Sequence, residues 1–158
     1  MNELIGLTYD EITLGQTASF SKQVEVQDIQ MFAAASGDVN PVHLDEEFAA
    51  GTMFGGRIAH GMLTGAVISA ALAMELPGPG TIYLGQTLRF SRPVKIGDKL
   101  TAHLEVTAKR EDRKIITLAC EVTNQDGKTV AVGEAQVLAS PERLRVKRPD
   151  LPRFKLLD

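Results

Sequence analysis

The chain has 158 residues, 44% of them hydrophobic, and a formal charge of −3, which suits one domain with a substantial core and argues against nucleic acid as the main partner. A single cysteine, Cys120, excludes an internal disulfide and suits a reducing cytoplasm. The first ten residues carry acids rather than a basic and apolar leader, and no apolar run reaches the length of a bilayer span, so neither a signal peptide nor a membrane anchor is expected.

In chain order, residues 14–24 read as an opening strand with weak alternation. Gln27 to Ser36 reads as a helix with Ile29, Phe32, Ala33 and Ser36 on one face, ended by Gly37 in a left-handed conformation. The next stretch, Ser36-Gly37-Asp38-Val39-Asn40-Pro41-Val42-His43, sets a carboxylate and an imidazole five residues apart across an Asn-Pro turn that resists helix. Two such groups aimed at one water can activate it and move a proton to or from a substrate. The same residues also make an ordinary turn, with His43 capping the helix that follows, and residue types alone leave both readings open. Asp45 then caps a short helix, Glu46 to Ala50, closed by Gly51.

A glycine-rich loop, 51–60, leads to Gly61 and to Met62–Met74, a run without charge. It is too long for a typical strand and too short to cross a membrane, so it reads as a helix in the middle of the protein. Its small residues, Gly65, Ala66, Ser69, Ala70 and Ala73, admit close packing against its backbone. Pro77-Gly78-Pro79-Gly80 stops it. Residues 81–91, 98–109, 114–124 and 128–139 then alternate as strands, with turns at Gly97-Asp98, at 110–113 and at Asp126-Gly127. Short connections imply antiparallel pairing, and the uncharged helix is the natural cover for the apolar face. Cys120 alternates with Ile116, Leu118 and Val122 and is expected to be buried, whereas His103 falls on the polar face of its strand.

Charge is uneven. Residues 142–158 hold six basic groups against three acids, and the other 141 residues hold eleven against seventeen. We therefore divide the chain into a single domain, 1–141, and a basic C-terminal extension, 142–158, whose Leu151, Phe154, Leu156 and Leu157 suggest that it docks. The three histidines share no metal-ligand spacing, and Gly51 to Gly56 lacks the lysine and spacing of a phosphate-binding loop, so no metal or cofactor is expected.

The segments Ser36–Asp45, Phe48–Ala50, Ile58–Leu63, Pro77–Gln86 and Pro93–Asp98 together resemble the MaoC-like family, and within it the small (R)-specific enoyl-CoA hydratases. The likeness spans roughly residues 10–140, and the Gly-Asp-x-Asn-Pro-x-His element is its most specific part. The resemblance implies an α+β hot-dog fold, a curved antiparallel sheet wrapped around a central apolar helix. It implies reversible syn addition of water to a trans-2-enoyl-CoA, with no cofactor, and a homodimer. It also implies Asp38 and His43 as the catalytic pair; we read Asp38 as accepting a proton from the attacking water and His43 as delivering one to C2, the donor of that last proton staying open between the two. The Gly61 N–H would polarise the thioester carbonyl, a role that physics supports, because a helix N-terminus presents unpaired N–H groups and favours negative charge. Ser69 and Leu72 match acyl-pocket positions, and Arg92 is a candidate for a CoA phosphate. Asn40 is read as holding the turn, and His60 as supporting the site from its loop. Three alternatives stand beside the hydratase: a dehydratase of carrier-protein or specialised thioesters, a non-catalytic thioester-binding subunit, and a hot-dog thioesterase. The last is disfavoured because Met62–Met74 carries no acid.

Overall fold

The computed structural model describes residues 2–157; Met1 and Asp158, the ends of the two segments drawn above, lie outside the described residues. Strand β1 (Glu3–Gly6) is followed by β2 (Thr17–Gln23), α1 (Val26–Ser36), the single-turn α2 (Pro41–Leu44), α3 (Glu46–Ala50) and α4 (Gly61–Met74). Then come β3 (Ile82–Phe90), β4 (Lys99–Arg110), β5 (Ile115–Thr123), β6 (Thr129–Leu138) and β7 (Leu144–Lys147). Five strands form one antiparallel sheet in the order β2-β4-β5-β6-β3. Its inward residues, among them Leu104, Val106, Leu118, Val122 and Val137, are almost wholly buried, as strict alternation requires. With these five strands and α4, the α+β hot-dog architecture is as expected.

Helix α4 crosses the inner face of this sheet, touching β2, β4 and β5. Val67, Ile68, Ala71 and Leu72 face the sheet and are at most 4% exposed. The sequence leads one to expect burial on all sides, but Met62, Ala66 and Ala73 remain open. A single sheet of five strands covers one side of a helix, and an uncharged sequence marks neither side as the open one. Cys120 is buried in the core and His103 is exposed, both as expected.

Two further features depart from the sequence reading. Helix α1 buries Ile29 and Ala33, but Ser36 lies on the surface, because its hydroxyl turns back to bond the Phe32 carbonyl at 2.7 Å. The start of the basic extension pairs as β7 with β1, joining Leu4 to Val146 and Ile5 to Arg145. Beyond it, Leu151, Phe154, Leu156 and Leu157 are exposed rather than docked; the Phe154 carbonyl accepts one bond, from Gln27 Nε2 at 2.8 Å.

Candidate active site

The site grows from the chain between α1 and α3, which a bond from His60 ties to the N-terminus of α4. Gly37 ends α1 with φ 81°, a left-handed conformation open to glycine at little cost. The Asp38 N–H then bonds Ser36 Oγ at 3.2 Å, and the Asn40 N–H bonds Asp38 Oδ1 at 3.0 Å. Asn40 Oδ1 in turn accepts the Val42 N–H at 3.2 Å, and Pro41 opens α2, where a missing N–H costs nothing. Asn40 therefore holds the turn through its side chain, and Asp45 caps α3 by accepting the Phe48 N–H at 3.0 Å.

This turn brings His43 Nε2 to 3.9 Å from Asp38 Oδ2. The imidazole is buried, whereas the carboxylate is about half exposed. His43 Nδ1 lies 2.7 Å from the Ile58 carbonyl oxygen, which accepts only, so Nδ1 carries a proton and donates it. In the neutral ring Nε2 is then an acceptor facing a carboxylate oxygen. A water about 2.8 Å from each would subtend an angle of about 90° at its oxygen, and it bridges the pair whether Nε2 accepts from it or, in the imidazolium form, donates to it. The gap is thus sized for one polarised water.

His60 closes the corner from behind. Its Nε2 lies 3.0 Å from the backbone oxygen of Asp38. Its ring stacks on His43 with centroids 3.8 Å apart and planes 25° apart, and Phe32 lies 4.9 Å away. Asp38, His43 and His60 bring ligand-type atoms within 4.8 Å of one another. They make a poor metal site, because the two imidazoles are stacked, so their in-plane lone pairs run side by side rather than converging on one ion, and His60 Nδ1 is sealed from solvent.

Gly61, next in the chain, is the first residue of α4. With Phe90, Thr64 and Arg92 it borders a cleft of about 290 Å³. Arg92 is exposed at the rim, and its surface continues toward Lys95 and Lys128. On the open side of α4 lies a mostly apolar groove of about 430 Å³, lined by Phe32, Met62, Ala66, Ser69, Tyr83 and Leu88 among others. A bulge at Leu84, where the β3–β6 pairing slips between Tyr83 and Gly85, shapes its far wall. Tyr83 Oη donates to Gln86 Oε1 there, and burial pushes the Tyr83 phenol up to about 12.

The structure therefore gathers Asp38, His43 and Gly61 at one corner and sets Ser69 in the adjoining groove. Arg92 sits on the rim. Leu72 is only 1% exposed and lies in the core beneath the groove rather than in its lining; three residues from Ser69 it is turned about 60° around the helix, toward the sheet. Sequence reasoning missed the Ile58 carbonyl, which has no side-chain signature, and the contact of Phe32 with the His60 ring; it set His60 beside the site but not its bond to Asp38 or its stack on His43. The apolar face of α1 and the position of His60 just ahead of the helix were the only signals.

Comparison with known proteins agrees with the fold. The profile of a family described as MaoC like domain matches residues 11–128. An (R)-specific enoyl-CoA hydratase of Aeromonas caviae is 46% identical, covering 83% of this chain and 98% of that protein. A 3-hydroxybutyryl-CoA dehydratase of Methylorubrum extorquens is 44% identical, covering 94% of this chain and 89% of that protein. The solved structure of R-hydratase PhaJ1 from Pseudomonas aeruginosa, without ligand, superposes with a TM-score of 0.92 at 51% identity, covering 98% and 99% of the two chains.

Proposed function

The chain belongs to the MaoC-like domain family, and from that membership we propose that it is an (R)-specific enoyl-CoA hydratase whose chemistry is carried by Asp38, His43 and Gly61. It adds water reversibly to a trans-2-enoyl-CoA to give the (R)-3-hydroxyacyl-CoA; read backwards, the same reaction is the dehydration for which one relative is named. A relative named for carrier-protein thioesters is more distant, at 35% identity over 63% of the chain, so CoA is the favoured carrier.

The observation that carries the reading is the 3.9 Å gap between Asp38 Oδ2 and His43 Nε2 beside the first N–H groups of α4. Water held in the gap gives a proton to Asp38 as its oxygen attacks C3. The C2–C3 π pair moves toward the thioester oxygen, where the Gly61 N–H and the helix dipole stabilise the developing charge. His43, in its imidazolium form, delivers a proton to C2 from the same side, which is syn addition. Its Nδ1–H bond to Ile58 persists in either charge state, so the ring need not move. A proton passing from Asp38 to His43 through the next water resets the pair.

The acyl chain runs into the groove past Ser69, with Leu72 supporting its floor from the core, and Arg92 meets a CoA phosphate at the rim. Strand β3 is an edge strand with Ile82, Tyr83, Leu84 and Phe90 exposed. Pairing with a second copy would cover that edge, and a homodimer is the assembly we assign. Among the described residues no helix is long and apolar enough to cross a membrane; we assign the enzyme to the cytoplasm, which suits its one buried thiol.

The test follows loss of conjugated enoyl-thioester absorbance on crotonyl-CoA. Asp38→Asn and His43→Gln should each lose about 10²–10⁴-fold in kcat while remaining folded. Parental rates in either variant would remove the pair from the mechanism.

A further inference from the structure

His60 touches both halves of the site but has no place in the reaction. It is 3% exposed and caps α4 by position, yet its side chain makes no capping bond. Its Nε2 lies 3.0 Å from the Asp38 carbonyl oxygen, so that nitrogen carries the proton. Nδ1 is then a bare acceptor, buried and without a partner. An unpartnered buried nitrogen is a cost that a phenylalanine or leucine of similar size would avoid. Space filling therefore does not account for an imidazole here, and the reason must lie in the other nitrogen.

The surroundings of Asp38 supply that reason. Residues 36–41 are all exposed. Their other hydrogen bonds stay within α1, the turn and α2: Gly37 N–H to Ala33, Asp38 N–H to Ser36, Asn40 N–H to Asp38, Val42 N–H to Asn40. Among the described residues, the bond from His60 is the one that ties residues 36–41 to a distant element; the ties from Ile58, to the Val42 carbonyl and to His43 Nδ1, fall beyond them in α2. That element is the N-terminus of α4, and the next residue is Gly61. The same ring lies 3.8 Å over His43, 25° from parallel, and so holds the imidazole plane that aims Nε2 at the gap.

We infer that His60 is a positioning residue that couples the two halves of the site: its Nε2–H fixes the Asp38 backbone, and with it the spacing between the proton-transferring pair and the helix N–H groups. This rests on the assignment of Asp38 and His43 as the catalytic pair. A misplacement of the order of 1 Å at reacting groups costs up to about 100-fold in rate, and substrate binding in the groove is untouched, so the loss belongs in kcat.

Two variants separate donor from ring. His60→Gln places an amide N–H near the Nε2 position without a stacked ring; His60→Phe keeps the ring and removes the donor. Steady-state hydration of crotonyl-CoA should show kcat down about 10–100-fold in His60→Phe with KM within about threefold, and kcat recovered to within about fivefold of the parent in His60→Gln. Parental kcat in His60→Phe overturns the inference. So does equal loss in both variants with the same fall in thermal midpoint, the mark of packing alone. On the unmodified protein, long-range ¹H–¹⁵N spectra of the imidazoles should show the proton on Nε2 of His60 and on Nδ1 of His43; a proton on Nδ1 of neutral His60 also overturns it, whether or not the variants fold. Asp38→Asn and His43→Gln run alongside. If they are inactive while His60→Phe is fully active, only this inference falls; if they are active, the pair itself does.

Discussion

The two sides of α4 carry the same kind of sequence and do opposite work. Toward the sheet, Val67, Ile68, Ala71 and Leu72 are almost wholly buried. Away from it, Met62, Ala66 and Ala73 are open, and the first two border a groove of about 430 Å³. Both sides are uncharged, so the difference is made by what packs on them. The buried side supplies stability. The open side and the N-terminal end leave room for a ligand, and small residues such as Gly65 keep that room. A Cβ at Gly65 would come within 2.9 Å of Met62 Cε and 3.3 Å of Leu88 Cδ1, so the groove wall there is already at contact.

Truncating each side in turn tests this contrast most forcefully. Ile68→Ala removes a fully buried side chain and should cost about 2–5 kcal/mol of unfolding free energy in urea. Met62→Ala, on a side chain 58% exposed, should cost less than about 1 kcal/mol. A large loss from Met62→Ala, growing with dilution, would mean that the open side is covered by a second copy, which would strengthen the dimer assignment.

The end of the helix is tested by an exchange that its geometry permits. Gly61→Pro deletes the N–H assigned to the thioester oxygen. Proline is favoured at the first helical position, and His60, with φ −59° and ψ 139°, already has the extended conformation that a following proline demands. Gly61→Ala keeps the N–H, and its methyl would meet the Phe90 ring at 3.5 Å, an ordinary contact. The proline variant should lose about 10²–10³-fold in kcat, the usual effect of removing one oxyanion donor, with thermal midpoint near the parent; the alanine variant should stay within about tenfold. Equal rates in the two would place the oxyanion elsewhere.

Much of this was legible in the sequence because it is local. The Gly37 stop, the Asn40 hold on the turn and the Asp45 cap each depend on a few neighbouring residues, so the turn carrying Asp38 and His43 could be placed before any tertiary contact was known, although Pro41, read as resisting helix, opens the single helical turn α2. The four long strands announce themselves by alternation. What escaped depends on residues far apart. Strands β1 and β7 have four residues each and lie near opposite ends of the chain, too short for a periodic signal. The bonds from His43 to the Ile58 carbonyl and from His60 to the Asp38 carbonyl use backbone acceptors, which every residue has. The open side of α4 was illegible because an apolar pattern without charge has no phase.

A smaller effect probes the groove through Ser69, which faces it half-buried. Ser69→Leu narrows the space and should raise KM for a six- or eight-carbon enoyl-CoA by about tenfold relative to crotonyl-CoA, the scale on which one or two methylenes are discriminated. Leu72→Ala instead should lower stability like Ile68→Ala and alter chain-length preference less. A larger change in preference from Leu72→Ala would move the acyl tip deeper, toward the core.

The smallest effect is spectroscopic and bears on the same wall. The chain has two tyrosines, Tyr9 and Tyr83. Burial raises the Tyr83 phenol to about 12, and burial followed by the charge of Glu111 raises Tyr9. A raised phenol binds its proton more tightly in the folded than in the unfolded chain. Its contribution to stability is therefore complete below about pH 10 and is lost as pH climbs through the folded value. The Tyr83 share of the phenolate absorbance, the part lost in Tyr83→Phe, should accordingly stay low through about pH 10 and rise only toward pH 12. An inflection at about pH 10 that disappears in Tyr83→Phe would put that phenol in water and remove the polar end from the groove. If the delay instead lengthens when protein concentration is raised, the wall is being covered by another copy, and the open side of α4 is open only in the isolated chain.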